Sequence, residues 1–397
     1  MTELPLDDVR VVEMGQLLAG PFCGQLLGDF GAEVIKIEPP GTGDPMREWG
    51  REKPHGQSLW WPILARNKKS VTIDLRQQAG QALARQLIRR ADVLLENFRP
   101  GTLEHWGLSP AQLWADNPGL VITRVTGYGQ SGPYAGRAGF GSIGEAMGGL
   151  RYVTGDPDAP PSRTGISLGD ELAGTFAALG TLTALHARQR TGRGQVVDAA
   201  LYEAVFALME SLIPDWEIAG YQRERSGPTL LNVAPSNVYE TLDGPILIAA
   251  NQDSVFRRLA AVMKQPELAD DDRFCSHGAR GQHAAELDAL ITDWTSGLES
   301  GPLLELLHDS GIPAGLIYRA DDMLADPHYR AREAIIRLAH PEYGEFPMQN
   351  VFPRLSATPG AVRSAGPSLG QHNQEVFAGL LGLDSNEIDE LAAAGII

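Results

Sequence analysis

Short apolar runs alternate with longer mixed segments along the first half of the chain, and this alternation predicts strands and helices in turn. Residues 9–14 and 33–38 are rich in Val and Ile, as strands are. The segment 21–30 between them predicts a helix that is closed by Gly31. Strand, helix and strand within this length form a βαβ unit, in which the two strands are parallel.

The alternation continues, with strands predicted over 70–75, 91–98 and 120–126 and an amphipathic helix over 77–90. A strand over 196–199 follows, and the apolar segments 172–185 and 201–212 predict buried helices. The pattern therefore predicts an α/β fold with a doubly wound, Rossmann-like parallel sheet.

The second half of the chain changes character after a polar stretch that contains Gly and Pro, residues 221–228. A short strand and several polar helices then predict a smaller α+β domain over 225–325. We expect residues 1–220 and 330–397 to form the large domain.

Composition excludes several classes of protein. The net charge of -17 argues against nucleic acid and anionic membranes as partners. The cysteines, Cys23 and Cys275, lie far apart, so neither a disulfide framework nor a metal site is predicted. The first residues lack the features of a signal peptide, and no apolar run reaches the about 18 residues of a membrane span. We expect a cytoplasmic enzyme.

Candidate binding residues follow the predicted strands, where ligands bind in such sheets. Arg76 follows the third strand, Asn97, Phe98 and Arg99 follow the fourth, and a glycine-bearing turn over 127–133 follows the fifth. These residues suit a phosphate-bearing ligand, although each arginine alone could be solvated. The basic segment 66–70 is either a phosphate contact or a solvated face.

One acid, Asp170, stands where a loop rich in Gly and Pro meets an apolar helix. The free N–H groups and the dipole at the start of a helix favour a charged carboxylate, which could act as a nucleophile. The spacing Ser167-x-x-Asp170 also fits a capping box, in which the acid only closes the helix end. The local pattern leaves both interpretations open.

Several motifs recur along the chain in the order in which one enzyme family carries them. They are GAEVIKIE (31–38), NKKS (67–70) with DL (74–75), NFRPG (97–101), GD (169–170), TGRGQ (191–195), GIPAG (311–315) and LGQHN (369–373). The chain resembles the class III CoA-transferases, the family of formyl-CoA transferase and carnitine CoA-transferase, over about residues 6–397.

The resemblance implies that Asp170 is the nucleophile. It would attack an acyl-CoA to give an aspartyl anhydride and then an aspartyl-CoA thioester, from which an acceptor acid takes the CoA. It also implies an interlocked homodimer, with CoA or acyl-CoA as a substrate and no permanently bound cofactor or metal. The other partners are a donor thioester and an acceptor carboxylate.

By position, the resemblance also assigns binding residues. The implied CoA contacts are Leu17, Leu18, Ile73, Asp74, Leu75, Arg76, Asn97, Phe98, Arg99, His105 and Arg137. Trp49, Trp60 and Phe140 stand where the family lines its acyl pocket with aromatics.

Arg47 and Arg163 are candidates for binding a second substrate carboxylate, or they form structural ion pairs. If these arginines bind a second substrate carboxylate, a dicarboxylate donor such as succinyl-CoA is expected. The glycine-rich lid of the oxalate-handling members is replaced by residues 232–237, which disfavours oxalate and formate.

Two alternatives have different signatures. The same fold resembles that of α-methylacyl-CoA racemase, which needs a second base, but the segment 136–139 reads Gly-Arg-Ala-Gly and offers no histidine. A non-catalytic CoA-binding protein would keep the binding residues and have no need of Asp170. Transfer of CoA is the favoured prediction.

Overall fold

The computed structural model describes residues 4–397, which divide into two compact units. The larger unit contains the chain up to Arg151 together with Thr164–Leu212 and Arg330–Ile397. The smaller unit contains Tyr152–Arg163 and Ile213–Tyr329.

The secondary structure follows the predicted alternation in the first half of the chain. The strands are β1 (Arg10–Glu13), β2 (Glu33–Glu38), β3 (Lys68–Thr72), β4 (Val93–Glu96), β5 (Val121–Thr126), β6 (Val196–Ala200), β7 (Ser236–Tyr239), β8 (Ile246–Ala249), β9 (Ala314–Leu316), β10 (Ile335–His340) and β11 (Gly344–Gln349). The helices are α1 (Ala19–Asp29), α2 (Trp61–Leu64), α3 (Gln78–Ile88), α4 (Thr102–His105), α5 (Pro110–Asp116), α6 (Gly141–Met147), α7 (Leu150–Val153), α8 (Leu168–Thr191), α9 (Leu201–Phe206), α10 (Leu212–Ala219), α11 (Asp253–Val262), α12 (His277–Gln282), α13 (Ala284–Thr295), α14 (Ser300–Asp309), α15 (Ala320–Ala325), α16 (Pro327–Ala331), α17 (Asn373–Leu381) and α18 (Ser385–Ala393).

The larger unit is built on a parallel sheet with the strand order β3-β2-β1-β4-β5-β6. The predicted α/β fold is confirmed, and the order reverses direction between β1 and β4. Ligands in open sheets of this kind bind beyond the carboxyl ends of the strands at that reversal. The topology therefore indicates where a binding cleft should lie.

Helices cover both faces of this sheet, so the residues of β1, β2, β4 and β5 are almost all buried. One face packs against α3, α5, α17 and α18 through a core that includes Ile35, Leu87 and Phe377. The other face packs against α1, α8 and α9 through a core that includes Val11 and Cys23. Burial raises the pKa of the Cys23 thiol to about 12, so this cysteine is an uncharged core residue.

Helix α8 is longer and less buried than the apolar pattern predicts. Ala173 and Ala177 are fully buried, but Phe176, Leu179 and Leu182 on the opposite side are 36%, 59% and 40% exposed. The prediction that this helix is wholly buried is therefore wrong for the single chain, because the sheet covers only one side of it.

Helix α9 also differs from its prediction, since it ends at Phe206 rather than continuing to Leu212. Phe206 and Leu208 are 47% and 48% exposed, so a buried helix over this whole segment is wrong. Strands β10 and β11 form an antiparallel pair that the sequence pattern does not predict.

The smaller unit has its own core. Strands β7, β8 and β9 form an antiparallel sheet in that order. Phe256, Leu259, Phe274 and Ile291 pack beside it and are 0–1% exposed. No helix within residues 4–397 is long and apolar enough to cross a membrane.

Candidate functional site

A cleft of about 380 Å³ opens at the carboxyl edge of the large sheet, beside the reversal of strand order. Its walls come from the ends of neighbouring strands: Gln16 after β1, Pro39 after β2, Ile73–Arg76 after β3 and Phe98 after β4. The structure thus brings together several residues that were predicted separately, because parallel strands end at the same edge.

Asn97 connects the end of β4 to the loop after β1. Its Oδ1 accepts a hydrogen bond from the N–H of Gln16 at 2.8 Å, and its Nδ2 donates to the carbonyl of Gln16 at 2.7 Å. A Cβ on Gly15 or Gly20 would lie only 3.1–3.3 Å from this side chain. Asn97 therefore orients the loop, and it does so through a side chain that those glycines leave room for.

Leu17 and Leu18, in the same loop, occupy different environments. Leu17 has a left-handed backbone with φ of 63°, and its N–H donates to Asp44 Oδ1 at 3.1 Å. Leu18 is 6% exposed and precedes helix α1. The N–H groups of Gln16 and Leu17 are therefore both bound to side chains of this chain, which fix the shape of the loop at the edge of the sheet.

Four buried charges lie beneath this loop and are called here the charge cluster: Glu13, Lys36, Asp44 and Lys68. Lys36 Nζ lies 3.0 Å from Glu13 Oε1 and 2.8 Å from Asp44 Oδ2, and it donates to the carbonyl of Gly15 at 2.7 Å. Lys68 Nζ lies 2.9 Å from Glu13 Oε2. All four side chains are at most 2% exposed.

The pKa values of the two lysines of the charge cluster shift in opposite directions. Burial lowers the pKa of Lys68 by more than the neighbouring Glu13 raises it. Burial also acts to lower the pKa of Lys36, but Asp44 and Glu13 outweigh it and hold the pKa above its ordinary value. Lys36 is thus the firmly charged centre of the cluster.

The basic segment 66–70 has neither of its predicted functions. Arg66 forms a buried ion pair with Asp29 at 2.5 Å, and Lys68 belongs to the charge cluster. Lys69 Nζ pairs with Glu33 at 2.6 Å. The prediction of a phosphate contact or a solvated face is therefore wrong, since these charges are neutralised by acids from other parts of the chain.

The residues after β3 form a compact turn at the mouth of the cleft. Asp74 Oδ1 accepts from Arg76 Nε at 2.8 Å, and the Arg76 side chain is 86% exposed. The hydrogen bond from Arg76 holds the pKa of Asp74 at about 2. Arg76 therefore carries an accessible positive charge, and its partner, the Asp74 carboxylate, is only 12% exposed.

Phe98 forms the opposite wall of the cleft with Trp106. Their rings pack edge to face with centroids 5.0 Å apart, and both line the cleft. Arg99 and His105 are exposed near this wall in the chain. Arg137 is exposed and stacks on the ring of Tyr134 at 3.6 Å.

Arg47 forms the ion pair that the sequence analysis gave as one alternative. Its Nε donates to Glu38 Oε2 at 2.7 Å and its Nη2 donates to Glu38 Oε1 at 2.8 Å. The guanidinium also donates to the carbonyl of Pro367 and lies 3.7 Å from the centroid of the Trp61 ring. These contacts occupy most of its donors, so the geometry favours a structural function for Arg47.

The predicted aromatic residues of the acyl pocket are accessible. Trp49 and Trp60 pack edge to face with centroids 6.2 Å apart and are 44% and 38% exposed. Phe140 is 66% exposed and immediately precedes helix α6. Arg163 is exposed in the smaller unit, and its assignment to a substrate carboxylate stays a prediction.

Helix α8 places Asp170 at the same edge of the sheet as the Leu17 loop. The helix precedes β6 in a parallel sheet, so it begins at the carboxyl edge and runs towards the amino edge. Gly174 lies against the start of α1, where a Cβ would be 2.7 Å from the carbonyl of Ala19. At the far end, Arg188 pairs with Asp92, just before β4. Asp170 lies one turn before Gly174.

The carboxylate of Asp170 lies directly against helix α6. A Cβ on Gly141 would be 2.0 Å from Asp170 Oδ2 and 2.5 Å from its Cγ. Ser167 is the residue before α8, and its side chain forms no capping hydrogen bond to the first turn of the helix. The hydrogen bond that the Ser167 side chain would accept in the predicted capping box is therefore not formed. Glu171 follows, and partial burial raises its pKa.

Two residues that define this site, Gly141 and Glu145, are not among those that the sequence predicts. Glu145 on α6 is 1% exposed and accepts a hydrogen bond from the N–H of Gly169, the residue before Asp170, at 3.4 Å. Gly141 and Glu145 share one face of α6 by their spacing. The only sequence signal was the unusual density of glycine in the segment 139–149, which the pattern of strands and helices does not use. Within residues 4–397, no group of His, Cys, Asp and Glu is arranged to hold a metal ion.

Comparison with known proteins agrees with the fold. Residues 6–373 match the model of CoA-transferase family III. The chain is 61% identical to succinyl-CoA--D-citramalate CoA-transferase of Chloroflexus aurantiacus, covering 99% of this chain and 98% of that protein. It is 42% identical to the alpha subunit of succinyl-CoA--L-malate CoA-transferase of the same species, covering 100% and 93%.

A solved structure is similar over most of the chain. A CAIB/BAIF family protein from Brucella suis is 35% identical with a TM-score of 0.84, covering 96% of this chain and 100% of that one. Fold, motifs and relatives agree over nearly the full length, and the chain therefore belongs to CoA-transferase family III.

Proposed function

We propose that this CoA-transferase moves CoA from succinyl-CoA to a free carboxylic acid through covalent intermediates on Asp170. The observation that carries the proposal is the place of the Asp170 carboxylate, in the first turn of α8 at the carboxyl edge of the sheet. The positive end of the helix dipole favours the carboxylate there, which is the state that attacks a thioester.

In the first half-reaction, an Asp170 oxygen attacks the thioester carbon and expels CoA thiolate, which leaves an aspartyl-succinyl anhydride. The thiolate then attacks the Asp170 carbonyl of that anhydride and releases succinate, so that CoA is held as an aspartyl thioester. No proton is gained or lost. The thioester's energy is retained in each bond that replaces it, provided that water stays out.

In the second half-reaction, the acceptor carboxylate attacks the aspartyl thioester and expels CoA thiolate. The thiolate attacks the acceptor's own carbonyl in the new anhydride, which releases the product acyl-CoA and restores the Asp170 carboxylate. One oxygen of the acceptor remains on Asp170 after this step. That oxygen gives the mechanism a specific isotopic signature.

We propose that the acceptor is D-citramalate or a closely similar hydroxy dicarboxylate. The support is the 61% identity to a transferase named for succinyl-CoA and D-citramalate and the 42% identity to one named for succinyl-CoA and L-malate. The exposed pair of Trp49 and Trp60 and the ring of Phe140 supply apolar surface for the acyl chain.

We propose that CoA binds along the carboxyl edge of the sheet, with its nucleotide in the cleft between Phe98 and the turn at Ile73–Arg76. The aromatic wall suits a base, and the exposed guanidinium of Arg76 suits a phosphate. The Leu17 loop, whose shape Asp44 and Asn97 fix, forms part of the same edge of the sheet.

We also propose that the enzyme is a homodimer of interlocked chains. The support is the apolar side of α8 that the larger unit leaves uncovered, with Phe176, Leu179 and Leu182 exposed. Leu179→Asp should shift the mass measured by light scattering towards that of a single chain. A variant that kept the mass of the wild type would contradict the use of this surface.

The test of the mechanism follows the isotope and the covalent adduct. With acceptor acid labelled with oxygen-18 in its carboxylates, a peptide containing Asp170 should gain one heavy oxygen during turnover and pass it on to succinate. Enzyme mixed with succinyl-CoA alone should carry CoA mass on the same peptide. New CoA thioesters from a panel of carboxylates, measured by mass spectrometry, would identify the acceptor.

Asp170→Asn should bind CoA and fold, but it should form neither adduct nor product. Asp389→Asn, which changes an exposed acid on α18, is the matched control and should behave as the wild type. A wild-type Asp170 peptide that never carries CoA or heavy oxygen would contradict the proposal. Epimerised acyl-CoA as the sole product would instead indicate a racemase.

A further inference from the structure

Gly141 and Asp170 are so close that no residue with a Cβ would fit at position 141 without displacing the Asp170 carboxyl group. A Cβ there would meet three atoms of the carboxyl group, at 2.0 Å from Oδ2, 2.5 Å from Cγ and 3.0 Å from Oδ1. The φ angle of Gly141 is not in the left-handed region, so its backbone would accept alanine without strain. The missing side chain is therefore a matter of space for the Asp170 carboxylate.

A second contact from the same helix holds the backbone just before Asp170. Glu145 Oε1 accepts the N–H of Gly169 at 3.4 Å, and a Cβ on Gly169 would lie 3.0 Å from Glu145 Cγ. The other oxygen, Glu145 Oε2, accepts from Arg151 Nε at 2.8 Å. The buried carboxylate of Glu145 is thus compensated by Arg151 while it holds the first turn of α8.

Helix α6 is itself fixed in place on α9. A Cβ on Gly144 would lie 2.8 Å from the Leu201 side chain, and a Cβ on Gly148 would lie 2.6 Å from that of Val205. Backbone-to-side-chain contact this close leaves little freedom for sliding. The helix that contacts Asp170 is therefore a rigid support.

We propose that Gly141 and Glu145 are positioning residues for the nucleophile: Gly141 provides the space that the Asp170 carboxylate occupies, and Glu145 fixes the turn that carries it. The inference rests on the proposed function of Asp170. Neither residue touches the reacting atoms of the substrate in this scheme. Both act through the position of one carboxylate oxygen.

The expected effect follows from the geometry of attack. A nucleophile displaced by about 1 Å loses roughly 100-fold in rate, because the reacting atoms must approach in line. In Gly141→Ala, the atoms that meet the new Cβ belong to the end of a rotatable side chain. We expect the Asp170 side chain to rotate away while the backbone keeps its place, so that the variant folds.

The test measures formation of the aspartyl-CoA adduct in a single turnover, by rapid quench and peptide mass. Gly141→Ala should slow adduct formation about 100-fold or more, with the Kd for CoA unchanged within about two-fold. Gly136→Ala is the control, since its Cβ would meet nothing within 4 Å. A general loss of structure would instead weaken CoA binding and lower the unfolding midpoint together with the rate.

Glu145 is tested in parallel by two substitutions. Glu145→Ala removes the acceptor for the Gly169 N–H and should slow adduct formation, whereas Glu145→Gln keeps an oxygen acceptor and should restore much of the rate. The Kd for CoA should stay near that of the wild type in both. If Glu145 only filled space, Glu145→Gln would rescue stability in the same way. The adduct rate at constant CoA affinity would then show no such rescue.

The outcomes separate this inference from the proposed function. Wild-type enzyme that forms the adduct while folded Gly141→Ala forms it equally fast would overturn the inference and leave the function intact. Equal adduct rates for wild type, Glu145→Ala and Glu145→Gln would also overturn the inference and leave the function intact. This second comparison still applies if Gly141→Ala fails to fold. Wild-type enzyme without any adduct on Asp170 would remove the proposed function itself.

Discussion

Asp44 holds the backbone of Leu17 in a left-handed conformation. Its Oδ1 accepts the N–H of Leu17 at 3.1 Å, while its Oδ2 lies 2.8 Å from Lys36 Nζ. A single leucine in this conformation costs about 1–2 kcal/mol, which the surrounding contacts must offset. The shape of the loop beside the cleft therefore depends on a buried ion pair below it.

The first prediction concerns this pair. Asp44→Asn should lower the free energy of unfolding by about 3 kcal/mol, because it leaves a buried Lys36 with less compensation. Urea denaturation measures the change, and Asp389→Asn is the exposed control, with an expected change within about 0.5 kcal/mol. Equal stability of the two variants would show that the charge cluster does not hold the fold.

The second prediction concerns acid stability. Hydrogen bonds from Arg89 and Arg85 lower the pKa of Asp116 from 3.8 to about 2. A lowered pKa in the folded state stabilises the fold above the ordinary pKa, and that stabilisation is lost as the pH falls through the folded value. The difference in unfolding free energy between wild type and Asp116→Asn should be constant above about pH 5 and shrink towards zero near pH 2. Urea denaturation at a series of pH values measures it, and a constant difference would contradict the pairing.

The third prediction separates the two functions proposed for Arg47. Arg47→Lys loses the two-point contact with Glu38 and the stacking on Trp61, so the unfolding free energy should fall by about 1–3 kcal/mol. The ratio of kcat/KM for a dicarboxylyl and a monocarboxylyl donor should stay unchanged. A ratio that moved towards the monocarboxylyl donor, without loss of stability, would indicate that Arg47 binds the second carboxylate.

The fourth prediction concerns the aromatic wall of the cleft. Phe98→Ala should weaken CoA binding about 10-fold, because stacking on a base is worth roughly 1–3 kcal/mol. Isothermal calorimetry with CoA and with pantetheine, which lacks the nucleotide, locates the effect: only the affinity for CoA should fall. Phe352→Ala, at an 80% exposed phenylalanine in the larger unit, is the control. Equal losses for CoA and pantetheine would place the nucleotide elsewhere.

Much of the fold could be predicted from local pattern. The apolar runs locate β1, β2 and β5 within one residue or two, because buried parallel strands are short and rich in Val and Ile. The motifs identified the enzyme family, which the comparisons confirm, and membership in a family of CoA-transferases decides against a non-catalytic binding protein. The ends of the helices, and the side of each helix that is buried, were less predictable, as the exposed Leu179 on α8 shows.

The sequence by itself determined the order of the elements, the family and the position of Asp170 beside a glycine-bearing segment. Only the tertiary structure decided what the charged residues do. Lys68 and Glu13 are 55 residues apart in the chain yet form a buried pair, and the Arg47 guanidinium forms an ion pair with Glu38. Likewise, nothing local indicates that the Asp170 carboxylate rests on Gly141. Local pattern depends on neighbours in the chain, whereas ion pairs and close packing depend on residues that only folding brings together.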